Sequence, residues 1–130
     1  MSISFELDES DPTLPSEEKL LAKCLSMYYR ESKHEGEKPH LYAIFSLLDE
    51  KYKGIKVYAF FDIQSMIKNK AIEAQQNLIE FGKACGLRRI FEEKQFVNKV
   101  IGITVKHKVG EKKNYYIADH FFHKKGLSNR

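Results

Sequence analysis

A chain of 130 residues with 42% apolar and 31% charged residues is long enough to bury a core as one domain. No apolar run approaches the ~18 residues of a membrane span, and the start "MSISFELDES" lacks the basic and apolar regions of a secretion signal. The net charge of +4 is uneven: residues 1–18 carry −6 and no Lys or Arg, so residues 19–130 carry +10, a balance that favours a polyanionic partner, nucleic acid first.

Residues 1–19 read as an acidic, irregular lead-in with Pro12 and Pro15, from which Phe5 and Leu14 can reach the body. "EKLLAKCLSMYYRES" (18–32) fits two periods. Leu20, Leu21, Cys24, Leu25 and Tyr28 make a helical stripe. Leu21, Leu25, Met27 and Tyr29 make one face of a strand, with Lys23 as the exception, and periodicity does not choose. "ESKHEGEKPH" (31–40) is a polar loop with Gly36 and Pro39.

"LYAIFSLLD" (41–49) predicts a strand with Leu41, Ala43, Phe45 and Leu47 on one face and Tyr42, Ile44, Ser46 and Leu48 on the other. "EKYKG" (50–54) is a turn. "IKVYAFFDI" (55–63) is the clearest strand: Ile55, Val57, Ala59, Phe61 and Ile63 face one way, and Lys56, Tyr58, Phe60 and Asp62 the other. Residues 69–86 predict an amphipathic helix, capped by Asn69 and ended by Gly86, with Ile72, Gln75 or Gln76, Ile79 and Ala84 on a stripe with Ala71, Leu78 and Cys85. Residues 87–95 connect, anchored by Ile90 and Phe91. Residues 96–109 predict a strand with Val97, Ile101, Ile103 and Val105 inward and Asn98, Thr104, Lys106 and Lys108 outward. "GEKK" (110–113) turns into a last strand, "NYYIADHFFHKK". Its two alternating sets are Tyr115, Ile117, Phe121 and Tyr116, Ala118, Phe122. Neither is a clean core face, because Asp119 interrupts one and His120 the other.

If 18–32 is a strand, the order is that of a mainly β, OB-fold-like five-stranded barrel over residues 20–126, with one helix between strands three and four and a tail at 127–130. If it is a helix, an α+β domain with a four-stranded sheet results. In the barrel, loops 31–40 and 109–114 are the two that an OB-fold uses to grip oligonucleotides.

The outward face of 55–63 sets Lys56 beside Tyr58 and Phe60, the residue types a single-strand groove needs: lysine for phosphate, flat rings for bases. Tyr42, Tyr28 and Arg30 extend it. Lys106, Lys108, Lys112 and Lys113 add charge, and Tyr116 is a supporting ring. Each ring alone is as well explained by packing; the combination points to binding.

Enzyme signatures are poor. No Gly-rich phosphate loop, metal-type His spacing or Ser–His–Asp pattern occurs. The His34, Glu35, Glu37 and His40 group lies in a loop, His120 and His123 suit an edge strand, and Asp62, Glu73 and Lys83 lack nuclease spacing. Cys24 and Cys85 read as buried thiols of a reducing compartment. The expectation is a non-enzyme without metal or cofactor.

"SFELDESDPTLP", "LLDEKYKGIKVYAFFDI" and "KAIEAQQNLIEFGKACGL" occur in one order. The shared features are Asp11-Pro12 with Leu14-Pro15, Asp49-Glu50, Lys53-Gly54, Tyr58 to Asp62 and Ala84-Cys85-Gly86. In these the chain resembles a family of small phage and prophage proteins, long filed as a domain of unknown function, that look like single-stranded-DNA-binding proteins. The resemblance covers most of residues 3–117. It implies an OB-like fold and single-stranded DNA binding in replication and recombination, in the cytoplasm of a bacterial host cell. It supplies no catalytic residues. Two departures stand out: Ser16-Glu17-Glu18 replaces a Gly–aromatic pair, and the end "FHKKGLSNR" is basic, where bacterial single-strand binders recruit partners through an acidic tip. Homo-oligomerisation is expected because one OB-fold offers a small footprint. The alternative function is a protein-interaction module of a replication or recombination complex, using the same face.

Overall fold

Segment 18–32 is a strand. The computed structural model describes residues 14–16, 18–30, 40–109 and 114–125, and in it β1 runs over Leu20–Arg30. Its pairing with β2 (His40–Leu47) passes from Cys24 opposite Phe45 to Ser26 opposite Ile44, so Leu25 is the extra residue of a β-bulge. Before the bulge Leu20, Ala22 and Cys24 point inward; after it Met27 does. The bulge places Cys24 and Met27 three residues apart on one face, which imitates helical spacing. It also corrects the expected strand face. Of Leu21, Leu25, Met27 and Tyr29, only Met27 joins the core, and Lys23 is no exception because its side of the strand faces out.

β2 and β3 (Lys56–Phe61) follow the alternation as read. Leu41, Ala43, Phe45, Leu47, Val57, Ala59 and Phe61 are all buried. A 3-10 turn, Glu50–Tyr52, links them, and the Asp49 carboxylate accepts from the Lys51 N–H at 3.2 Å.

Helix α1 spans Lys68–Ala84. Its N-cap is Ile67, not Asn69; two residues earlier the Ser65 hydroxyl accepts from the Ile67 N–H at 3.1 Å. Gly86 takes φ 79° beyond the end, as expected of the left-handed residue there. The buried face is corrected in part, with Leu78 and Cys85 packing against the core as expected. Ala74, Phe81 and Ala84 are buried, whereas Ile72 and Ile79 are 42% and 50% exposed. The cause is Phe81, which plugs the barrel end with its centroid 5.3 Å from Phe45, 4.8 Å from Phe121 and 4.5 Å from Phe96, and so sets the helix rotation. Gly82 lets the following connection pack closely: a Cβ there would fall 2.6 Å from Ile90 Cδ1.

Ile90 packs against the core, but Phe91 is 72% exposed and anchors nothing there. The anchor is Phe96, fully buried in the 3-10 turn Glu93–Phe96. That turn takes the first residues expected of strand four, so β4 begins at Val100 and ends at Val109. Ile101, Ile103 and Val105 point inward and Val97 only flanks the turn. β5 (Asn114–Phe122) has its own bulge: Thr104 faces His120 and Val105 faces Ala118, leaving Asp119 extra. The inward set is therefore Tyr116, Ala118 and Phe121, which changes parity at Asp119.

The strands close in the order β1-β2-β3-β5-β4, with β4 returning to β1 through Leu20 opposite Ile103. β3 and β5 are parallel and share one paired position, Tyr58 opposite Ile117. This is the OB-fold-like five-stranded arrangement, with α1 between β3 and β4. Leu14 of the lead-in is buried in the core, and its N–H donates to the Tyr116 hydroxyl at 3.3 Å. The acidic residues 6–11, Phe5, Lys112, Lys113 and the tail lie outside the described residues.

Candidate nucleic-acid interface

With the alternate positions filling the core, the remaining side chains of β1, β2 and β3 share the outer surface. Residues opposite each other on paired strands point to the same side. One row therefore runs Tyr28, Tyr42, Phe60. The next runs Ile44, Tyr58, Ile117, Lys106, crossing from β2 to β4. At the strand ends Arg30 faces His40.

The rings form one cluster centred on Tyr42. Its centroid is 5.9 Å from Tyr58 in a stacked pair, 4.9 Å from Phe60, and 5.4 Å from Tyr28 in an edge-on pair. His40 meets Phe60 edge-on at 6.1 Å. The Arg30 guanidinium sits over the Tyr42 ring at 5.1 Å. The members are not equivalent. Tyr42 is only 7% exposed, while Tyr28 and Phe60 are 41% and 43% exposed. Burial pushes the Tyr42 hydroxyl above its ordinary pKa, neighbouring Tyr58 adds to this, and Arg30 opposes it. Tyr42 is thus a neutral, covered platform that fixes its neighbours, and Tyr28 and Phe60 present accessible ring surface.

The cations flank this cluster. Lys56 is exposed, two residues from Tyr58 along β3, with its ammonium donating to the Gly54 carbonyl at 3.3 Å. Lys106 stands level with Tyr58, two strand spacings or ~10 Å across the sheet, with its ammonium 3.8 Å from Asp119. Lys108 is exposed opposite Tyr115, one row nearer the level of Lys56. Tyr116 is not brought to this face. It turns toward the core and stacks on His107 at 5.1 Å.

His40 belongs to the cluster and was not among the expected ring contacts. Running the Tyr42 alternation back by two residues would have reached it. Where β3 and β5 part beyond Tyr58 and Ile117, a cleft of about 200 Å³ opens beside Phe60, with Lys106 and Lys108 along its edge.

Among the described residues no three His, Cys, Asp or Glu side chains are grouped to hold a metal ion, and no helix is long and apolar enough to cross a membrane. His120 lies 3.4 Å from Glu80 and 3.9 Å from Asp119 as part of a surface ion-pair group. No family model matches the chain, and no curated protein does.

Proposed function

We propose that this protein binds single-stranded DNA with little sequence preference, through base stacking on the outer face of β1–β3 and phosphate contacts at its margins. The observation that carries the reading is the gathering of Tyr28, Tyr42, Tyr58 and Phe60 on one outer face of the sheet beside Arg30, Lys56, Lys106 and Lys108. Bases lie on Tyr28 and Phe60, whose rings are open, while Tyr42 and Tyr58 hold them in place. Phosphates meet the flanking cations. Such a protein shields replication or recombination intermediates, the role that the phage-family resemblance implies.

The test is fluorescence anisotropy with oligo-dT at two salt concentrations. Stacking contributes ~1–3 kcal/mol per base, so Tyr58→Ala combined with Phe60→Ala weakens binding at least about tenfold while the protein stays folded. Unchanged affinity in a folded variant rejects the stacking face. A lack of binding to any single strand at low salt rejects the DNA reading and favours a protein-interaction module on the same surface.

A further inference from the structure

The cleft between β3 and β5 has a lining unlike that of the face beside it. Phe60, Lys106 and Lys108 line it, but so do Glu73 and Asn77 of α1 and Asp119 of the β5 bulge. Asp119 is shared with Lys106 at 3.8 Å and His120 at 3.9 Å. Among the described residues the side chains of Glu73 and Asn77 make no hydrogen bond or ion pair, so their polar atoms are available to a ligand.

Two carboxylates repel a phosphate, so the interior of this cleft does not continue the backbone track. They do accept hydrogen bonds, and the Asn77 amide both donates and accepts. An aromatic ring, hydrogen-bond acceptors and cations lining one cleft suit one unstacked nucleobase that presents an exocyclic amine, its phosphate left at the lysines. The opening is built into the topology. The two strands share a single paired position, and the bulge at Asp119 redirects β5 where the gap begins.

We infer that this cleft is a base pocket selecting amine-bearing bases, cytosine foremost, at one position of a strand otherwise bound without preference. The inference rests on the single-stranded DNA reading above. Its mechanism is amine donation from cytosine N4 to Glu73 or Asp119, with the ring against Phe60.

Oligo-dC and oligo-dU of equal length make the test, because the two bases differ only in the amine or carbonyl at C4 and the protonation of N3. The wild-type protein binds oligo-dC about tenfold more tightly, near the lower end of what a directed base contact supplies. In Glu73→Ala with Asp119→Ala the preference disappears, and oligo-dU affinity is at least that of the wild type. Glu73→Ala alone, a change on an exposed helical turn, reduces the preference without risk to the bulge. Equal wild-type affinities for the two oligonucleotides overturn the pocket and leave the DNA reading standing. So does a double variant that gains affinity for both by one factor, because the acids then act only as charges. No binding to either oligonucleotide overturns both.

Discussion

The barrel carries two aromatic clusters, one on each side of the same strands. Inside, Phe45, Phe61, Phe81, Phe96 and Phe121 are all phenylalanine and at most 5% exposed. Outside, three of the four rings are tyrosines, the cluster borders Arg30 and His40, and two members are more than two-fifths exposed. Ring distances are similar in both, 4.5–6.1 Å inside and 4.9–6.1 Å outside. Geometry of contact therefore does not separate a core from a binding face. Chemistry does: the inner rings have no polar atom to satisfy, whereas three of the four outer ones carry a hydroxyl and their cluster borders a cation.

The largest effect that follows is on stability. Phe81 touches Phe45, Phe61, Phe96 and Phe121, so Phe81→Ala removes the hub of the inner cluster and costs ~3–5 kcal/mol. Phe60→Ala deletes the same ring from the outer face and costs less than ~1.5 kcal/mol, since its cluster supplies ring contact with much less burial. Urea denaturation of the two variants checks the pair. Equal losses would mean that the outer cluster is structural after all.

How much of this was legible follows from where the alternation holds. β2 and β3 keep an unbroken period of two, so their core residues and the Lys56, Tyr58, Phe60 face could be read directly. β1 and β5 could not, because Leu25 and Asp119 are extra residues that invert parity partway along each strand. The helix was placed well, and Leu78, Ala84 and Cys85 of its stripe do meet the core, but Ile72 and Ile79 do not and Phe81 was missed. Ile72 and Ile79 are as apolar as Phe81, and only the barrel end they must fit decides which one is buried. Phe91 and Phe96 lie in a connection with no period, so nothing local says that Phe96 is the anchor. The cleft depends on a parallel β3–β5 contact between residues 59 positions apart in sequence, 58 and 117, which local pattern does not encode.

Both sides hold groups whose titration burial shifts. Inside, burial pushes the thiols of Cys24 and Cys85 from 9.0 to about 12, with Cys85 adding to the rise at Cys24 and Lys99 opposing it at Cys85. Between pH 9 and about 12 the unfolded chain has lost these protons and the folded one keeps them. The unfolded state binds fewer protons, so stability is intact below pH 9 and falls as pH rises, by up to ~1.4 kcal/mol per unit for Cys24. The Tyr42 hydroxyl, raised as well, contributes in the same direction. Urea midpoints measured from pH 8 upward decline, and Cys24→Ala with Cys85→Ala makes the decline shallower. An unchanged slope in that variant would show that the thiols ionise freely in the folded protein.

The smallest effect divides the outer face itself into rings and cations. Each phosphate neutralised on a single strand contributes ~0.7 to the slope of log affinity against log salt. Lys106→Gln with Lys108→Gln should therefore flatten that slope by up to ~1.4. The loss at Lys106 is the smaller of the two, because Asp119 already sits 3.8 Å from its ammonium and competes with phosphate. Tyr58→Ala with Phe60→Ala removes stacking but no charge, so it lowers affinity equally at every salt concentration and leaves the slope in place. Salt titrations of both double variants on oligo-dT separate the two contributions. If the lysine variant keeps the wild-type slope, the strand does not cross β4 and β5, and the phosphates are held by Arg30 and Lys56 on the other side of the rings.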